Sequence, residues 1–483
     1  MLKTYPNVSG QYLINGEWIK SDNVKEVINP AQLNDIVGEV ALCSQEEIRS
    51  SIDIAEKVFK EWSHTSVHER SSMMKKAAKK LSETIDQHVP LFVRENGKTI
   101  VEAKKDLLRC VEVMEGGADT LLDWWPPSFI DSKENQVVQT RRRPRGVTAI
   151  ISPWNSPMIL TFKRAIPALL AGNTIIIKPA TNCPLTVLSA FQVIASFFPP
   201  GTINVLTGSG SLVGKELSQD KRVRTIAFTG STETGKNIID MSASTVKKLH
   251  LELGGNDPAL VLSDAELDNN SIKKMTMGVL RSTGQVCSAI KRIYVHESKY
   301  EELVEKLKKE FERIVVGNGM QPDTTIGPLN NKEQYNFVCE LLEDSKTSGA
   351  NVEMLGQKLD DDSWEEGYFM LPSLVTNINH DSKLVRAEQF GPIIPIISYK
   401  NLENAIDMAN DTIFGLKASV WTSDNERAAQ IADKLEAGAV FHNNHTIFQD
   451  LNIDFPGIKE SGLSRETLCG GLDLFTDSYG FAN

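Results

Sequence analysis

Cysteine is scarce and scattered: Cys43, Cys110, Cys183, Cys287, Cys339 and Cys469 are the only six in 483 residues, and no two form a CxxC pair. That spacing argues against a disulfide framework or a paired-thiolate zinc site and for reduced thiols. Long apolar runs are missing as well. No stretch suffices to cross a bilayer, and residues 1–6 lack the pattern of a signal peptide, so a cytoplasmic protein with no membrane partner is expected. Histidine is sparse; His64 and His68 stand four apart, as in a helical metal pair, but no third ligand is evident. They read as solvated surface residues, and no metal is expected. Positive charge is the minority sign, with 52 Lys and Arg against 63 Asp and Glu and a net charge of −11. A chain of that balance is not expected to bind nucleic acid.

What is present is an ordinary globular composition, 41% hydrophobic and 24% charged, in a chain long enough for two or three domains. Residues 11–18 read as a hairpin turning at Asn15-Gly16, and 35–40 as a short strand. From Ser44 to about Gly117 apolar residues recur at helical spacing, with Ser44 as N-cap and Glu46 and Glu47 in the first turn. Trp124-Trp125-Pro126-Pro127 closes that region. Residues 136–143 read as an exposed two-faced edge strand, and the run Arg141, Arg142, Arg143 and Arg145 as either an anion site or, preferably, a solvated or intersubunit strand.

From Gly146 the chain alternates strand and helix. Strands are read at 147–151, 174–178, 203–206, 225–228, 249–253 and 259–262, with helices at 157–170 and 184–198 between them. Continuous apolar strands alternating with helices imply a parallel sheet covered on both faces. Such sheets bind ligands at their carboxyl ends, where phosphate meets a helix N-terminus. The turns that begin at Gly208-Ser209-Gly210 and Thr229-Gly230-Ser231 suit this role, though as sequence they serve equally as tight turns. The second half carries helices at 301–315 and 332–348 and strands at 384–385, 393–398 and 418–421, and the tail after Gly471 reads as an edge strand. Between them sits Gly284-Gln285-Val286-Cys287, a thiol between an apolar helix and a strand. A loop so placed on a rigid scaffold can turn a reactive group to a cleft.

Several stretches together resemble the aldehyde dehydrogenase superfamily. They are Pro153-Trp154-Asn155-Ser156-Pro157, Lys178-Pro179-Ala180, Phe228-Thr229-Gly230-Ser231, Leu251-Glu252-Leu253-Gly254-Gly255, Gly284-Gln285-Val286-Cys287, Glu388-Gln389-Phe390-Gly391-Pro392, and the run from Lys459 through Glu460-Ser461-Gly462 to Glu466. The resemblance implies an α/β fold with a Rossmann-like cofactor domain (1–124 and 146–253), an α/β catalytic domain (254–458) and a small β oligomerisation flap (125–145 and 459–483). It implies that Cys287 is the nucleophile, Asn155 an oxyanion donor and Glu252 the base that activates water. The cofactor, NAD or NADP, is expected near Trp154, Lys178, Thr181, Gly208, Gly230, Ser231, Glu388 and Phe390. Glu466 resembles a second carboxylate that supports proton transfer.

Departures from the family pattern bear on specificity. Thr181 stands where many NAD-preferring members carry glutamate, so tolerance of NADP is expected. Ser156 replaces a bulky phenylalanine and should widen the substrate passage, near Phe455. Lys163 either contacts a substrate carboxylate or snorkels to solvent. His442 and His445 either meet a polar substrate or pack. Asn256-Asp257 replaces a frequent Lys-Ser, with no reading from sequence. The expected activity is oxidation of an aldehyde, possibly a semialdehyde, to a carboxylic acid through a cysteine thiohemiacetal and thioester, in a homodimer or homotetramer. A CoA-acylating relative and a catalytically silent scaffold are the alternatives; Glu252 speaks against the first, and Cys287, Glu252 and Asn155 together against the second.

Overall fold

The computed structural model describes residues 8–130, 137–445, 456–464 and 471–482. Their architecture is two seven-stranded sheets, each covered by helices on both faces, with a small three-stranded sheet alongside. In the first sheet the spatial order is Lys248–Glu252, Val223–Thr229, Val147–Ile151, Thr174–Lys178 and Ile203–Val205, all parallel. The antiparallel hairpin Gln11–Ile14 and Glu17–Lys20 completes it. Asn15 and Gly16 take positive φ at the hairpin turn, as the sequence predicts. The strands beginning at Val147 and Thr174 are buried at every residue, and all but the terminal Lys178 are apolar or β-branched, as a doubly covered strand requires.

The helices Gln45–Trp62, Val67–Ser82 and Ile100–Trp124 each start on a complete capping box, formed by Ser44 with Glu47, Ser66 with Glu69 and Thr99 with Glu102. Each box satisfies backbone N–H groups that the first helical turn leaves unpaired. The helices Val67–Ser82, Ile85–Asn96 and Ile100–Trp124 pack with Pro157–Leu170 and Leu185–Ile194 in one core. The helix Gln45–Trp62 covers the other face of the sheet.

The second sheet runs Asn351–Met354, Ser373–Thr376, Ile393–Tyr399, Ile290–His296, Asp257–Val261, Lys417–Trp421 and Ala439–His442. The strand at Asp257 therefore does not complete the first series, as its apolar run suggests. The turn at Gly254-Gly255 carries the chain across, and Asp257–Val261 pairs with Ile290–His296 and Lys417–Trp421. Residues 384–385 are also not a strand. They lie in the short helix Lys383–Arg386, their side chains buried, and two apolar residues alone do not separate the two states.

In the three-stranded sheet Val138–Pro144 lies between Thr476–Ala482 and Ser128–Ile130. It is the central strand, not the exposed edge its two-faced pattern suggests; Thr476–Ala482 takes the edge. The arginines are occupied within the chain. Arg141 lies 3.9 Å from the Phe481 ring centroid and Arg142 4.2 Å from that of Trp124, while Arg145 pairs with Asp477 at 2.9 Å. No described helix is long and apolar enough to cross a membrane.

Candidate active site

Segments from both sheets meet around Cys287. The first sheet contributes the carboxyl ends of its strands. Asn155 follows Val147–Ile151, Lys178 ends its strand, Ser231 follows Val223–Thr229, and Glu252 ends the outermost strand. The second sheet contributes amino ends: Cys287 lies just before Ile290–His296, and Gly255 just before Asp257–Val261.

The approach to Cys287 is conformationally costly. Ser282 and Thr283 take φ of 50° and 58°, and Gly284 follows at 73°, so two non-glycine residues sit in the left-handed region. Surrounding hydrogen bonds hold them there. Glu102 accepts from the Ser282 N–H at 2.7 Å, the Thr283 hydroxyl donates to the Gly327 carbonyl, and the Asn330 N–H donates to the Gln285 side chain. Gly284 lies so close to the Gly391 carbonyl that any Cβ there would overlap it.

This turn presents the Cys287 thiol, half-buried, to Glu252: Sγ donates to Oε1 at 3.2 Å. The Glu252 strand is gripped along its open edge by residues 461–463. Leu253 N–H donates to Ser461 O, Leu463 N–H donates to Leu251 O, and Glu252 bridges Gly462. Asn155, buried, donates its side-chain N–H to the Gln285 carbonyl at 2.9 Å, which ties the turn after the first sheet to the cysteine loop.

The remaining predicted residues lie at or just past the strand ends of the first sheet and in the segment that precedes Ile393–Tyr399 of the second. Trp154 and Phe390 meet edge to face with ring centroids 5.5 Å apart. Phe390 itself has φ of 52°. Glu388 accepts the Gly255 N–H at 2.9 Å, and burial pushes its carboxyl up, opposed by Lys291. Burial lowers the Lys178 ammonium to about 8. The Thr181 hydroxyl donates to the Gly208 carbonyl, joining the turns that follow Thr174–Lys178 and Ile203–Val205. Ser231 caps the helix Thr232–Ser242, and at Gly230 an added Cβ would collide with the Phe228 ring. Gly210 has open space where a Cβ would be. Small residues, a capped helix start and strand ends opening on one side fit a bound dinucleotide.

The predicted substrate residues divide. Ser156 meets the Lys98 ammonium, which also donates to Ser282 Oγ at 2.9 Å and lies 3.5 Å from Asp106. Lys163, on the helix Pro157–Leu170, is half-buried and within electrostatic range of Lys417. His442 turns its Nε2 to the Thr422 carbonyl. His445 is buried behind the cysteine, its Nδ1 against Ser419 Oγ at 2.8 Å and its Nε2 3.8 Å from Asp257. Phe455 and Glu466 lie outside the described residues. Among the described residues no three His, Cys, Asp or Glu cluster to hold a metal.

Sequence reasoning missed a second tier of charge. Asp257, Lys291 and Lys417 are all buried at the amino ends of adjacent strands. Burial drives the Asp257 carboxyl up, and Lys291, Lys417 and Arg292 draw it back down. Burial likewise lowers the Lys417 ammonium, with Asp257 opposing. Half-buried Arg281, at the end of the helix Asn269–Leu280, is pushed down by burial and held up by Asp106, Glu102 and Cys287. The available signal was charge at the first positions of otherwise apolar strands, as in Asp257-Pro258-Ala259 and Lys417-Ala418-Ser419.

A family model described as "Aldehyde dehydrogenase family" matches residues 18–479. The chain is 33% identical over 470 residues to an alpha-ketoglutaric semialdehyde dehydrogenase of Bacillus subtilis (strain 168), covering 96% of each. It is 34% identical to a succinate-semialdehyde dehydrogenase [NADP(+)] of Escherichia coli (strain K12), covering 97% of this chain and 96% of that one. A crystal structure of betaine aldehyde dehydrogenase from Staphylococcus aureus in complex with NAD+ superposes with a TM-score of 0.93 at 31% identity, covering 98% of this chain and 94% of that one.

Proposed function

The chain belongs to the aldehyde dehydrogenase family and is an NAD(P)-dependent oxidoreductase that converts an aldehyde to a carboxylic acid; we propose that Cys287, Glu252 and Asn155 carry its chemistry and that its aldehyde bears an anionic group. The observation that carries the site assignment is the 3.2 Å contact between the Cys287 thiol and the Glu252 carboxylate at the junction of the sheets. Cys287, as thiolate, adds to the aldehyde carbon and forms a thiohemiacetal. Asn155 donates its side-chain N–H to the developing alkoxide, beside the Cys287 backbone N–H, and one such donor is worth about 3 kcal/mol. Bound nicotinamide supplies the oxidant for this adduct, accepting the aldehyde hydrogen with its electron pair. Glu252 then takes a proton from water as that water attacks the thioester, releasing the acid and restoring the thiol. Lys178 holds the adenosine ribose of the cofactor, Gly230 and Ser231 lie by its pyrophosphate, and Glu388 holds the nicotinamide ribose with Phe390 and Trp154 beside it. Thr181 leaves room for a 2′-phosphate, so NADP is accepted.

Substrate charge follows from the cations around the sulfur. Lys163, Arg281 and Cys287 all lie within electrostatic range of Lys417. An aldehyde with a terminal carboxylate matches that field, in keeping with the names of the two semialdehyde-oxidising relatives. The division into a cofactor domain, a catalytic domain and a flap accompanies this reading. The edge strand Thr476–Ala482 pairs copies into a dimer or tetramer, and the protein is cytoplasmic.

Turnover of an ω-oxo carboxylate and of a neutral aldehyde of equal length tests the substrate class. Arg281→Met should raise KM for the oxo acid at least tenfold and leave the neutral aldehyde unchanged. Equal effects on both would remove the anion-binding role. Acid release without CoA separates hydrolysis from acyl transfer.

A further inference from the structure

Behind the nucleophile lies a lysine that the chemistry just described does not use. Lys291 is 2% exposed, and its ammonium donates to the Val286 carbonyl at 3.0 Å and to the Cys287 carbonyl. It also stands 4.0 Å from Glu388 Oε1. A buried cation needs such company to remain charged.

Its aim comes from a break in the sheet. Asp257 pairs with Ile290 and Pro258 pairs with Arg292, so Lys291 is an extra residue in the register between the two strands. A bulge of this kind re-aims the side chain it carries. The Lys291 carbonyl is taken instead by the buried side chain of Gln389, which donates to it at 2.7 Å. The bulge therefore has its own hydrogen-bond partner and is a stable feature of the sheet.

The consequence falls on the Cys287 backbone N–H. The described chain contains no cis peptide bond, and in a trans peptide the carbonyl of one residue and the N–H of the next point in opposite directions. Turning the Val286 carbonyl inward, to Lys291, turns the Cys287 N–H outward. Asn155 adds a second tie, to the Gln285 carbonyl one peptide earlier. Asp257 is a counter-charge for this lysine, with Lys417 and Arg292 nearby, which gives Asp257 the role that sequence alone does not.

We propose that Lys291 is a positioning residue: by holding the Val286 and Cys287 carbonyls it directs the Cys287 N–H at the oxyanion of the tetrahedral adduct. The inference rests on Cys287 being the nucleophile. It requires that Lys291 matter where an oxyanion forms and not where none does.

Two reagents make that distinction on the full-length protein. p-Nitrophenyl acetate acylates a thiolate through a tetrahedral oxyanion, releasing p-nitrophenolate, whereas iodoacetamide alkylates it at a saturated carbon and expels iodide. Mass spectrometry assigns both adducts to Cys287. Lys291→Met should slow acylation about a hundredfold, the scale of a lost oxyanion donor, while alkylation changes less than about threefold. Lys291→Gln, neutral but still able to donate, should recover part of the acylation rate, and its acylation-to-alkylation ratio serves if the Met variant does not fold. Equal losses in both reactions would mean that Lys291 activates the sulfur and not the oxyanion hole, overturning the proposal. So would unchanged rates in both. If wild-type Cys287 took up neither reagent, the nucleophile assignment itself would fall.

Discussion

The two large sheets meet at one site and treat charge in opposite ways. The first buries charge only where strands end, at Lys178 and Glu252 beside the Ser231 turn, and its buried mid-strand groups, such as Asn204 and His250, are neutral. The second buries Asp257, Lys291 and Lys417 within its first strand positions. The difference follows from which ends are offered. Carboxyl ends lead into turns and helix starts, whose free N–H groups hold an anionic ligand without side-chain charge. The amino ends here follow loops and supply no such helix start, so side chains must provide the field and the support. Most of the proposed cofactor contacts thus fall to the strand ends of the first sheet, and the support behind the nucleophile to the buried charges of the second.

The contrast can be broken at several points. Cys287→Ser should reduce acid formation by more than about a thousandfold, as loss of a nucleophile does, while the NADP dissociation constant, read by fluorescence titration, stays within a factor of two. Asp257→Asn, which strips a carboxylate from a nest of buried cations, should cost about 3–5 kcal/mol in urea unfolding. Lys178→Met at the other sheet's end should leave stability nearly unchanged and raise the cofactor KM instead. If the two exchanged effects, the division between the sheets would be wrong.

A third prediction concerns protons. His88 and His250 belong to the first half of the molecule, and burial lowers them to about 4 and about 3. Both folded values lie below the unfolded value near 6.5, so the stability each contributes is complete above pH 6.5 and is lost as pH falls below it. Between pH 6 and 4.5 these two imidazoles alone contribute a decline of up to about 2.7 kcal/mol per pH unit, since the unfolded chain binds two protons there that the folded chain refuses; the buried carboxyls of Glu95, Asp257 and Glu388, raised by burial, oppose it. His88→Gln should remove about half of that slope, read from denaturation midpoints across the range. The smallest effect is expected at Thr181→Glu, where a carboxylate beside the Gly208 turn should shift the NADP-to-NAD ratio of kcat/KM about tenfold toward NAD, about 1.4 kcal/mol.

Much of this was legible in the chain. The alternation of buried strands and helices from Gly146 onward gave the first sheet, because a fully covered parallel strand tolerates little but apolar side chains. The cysteine, the glutamate and the asparagine were visible because short motifs carry them at turns. Less visible was anything set by register. Residues 136–143 alternate as an edge strand would, yet the strand Val138–Pro144 lies between Thr476–Ala482 and Ser128–Ile130, partners that no local pattern names. Lys291 was hidden for the same reason. Its direction depends on a slip of one residue between strands more than thirty positions apart, and only the pairing reveals it.

The pairing of Glu252 with Gly462 also makes the base answerable to a distant stretch of chain. At Gly462 the Leu251 carbonyl fills the space a side chain would need, so a substitution there would displace the Glu252 strand without altering any residue of the site.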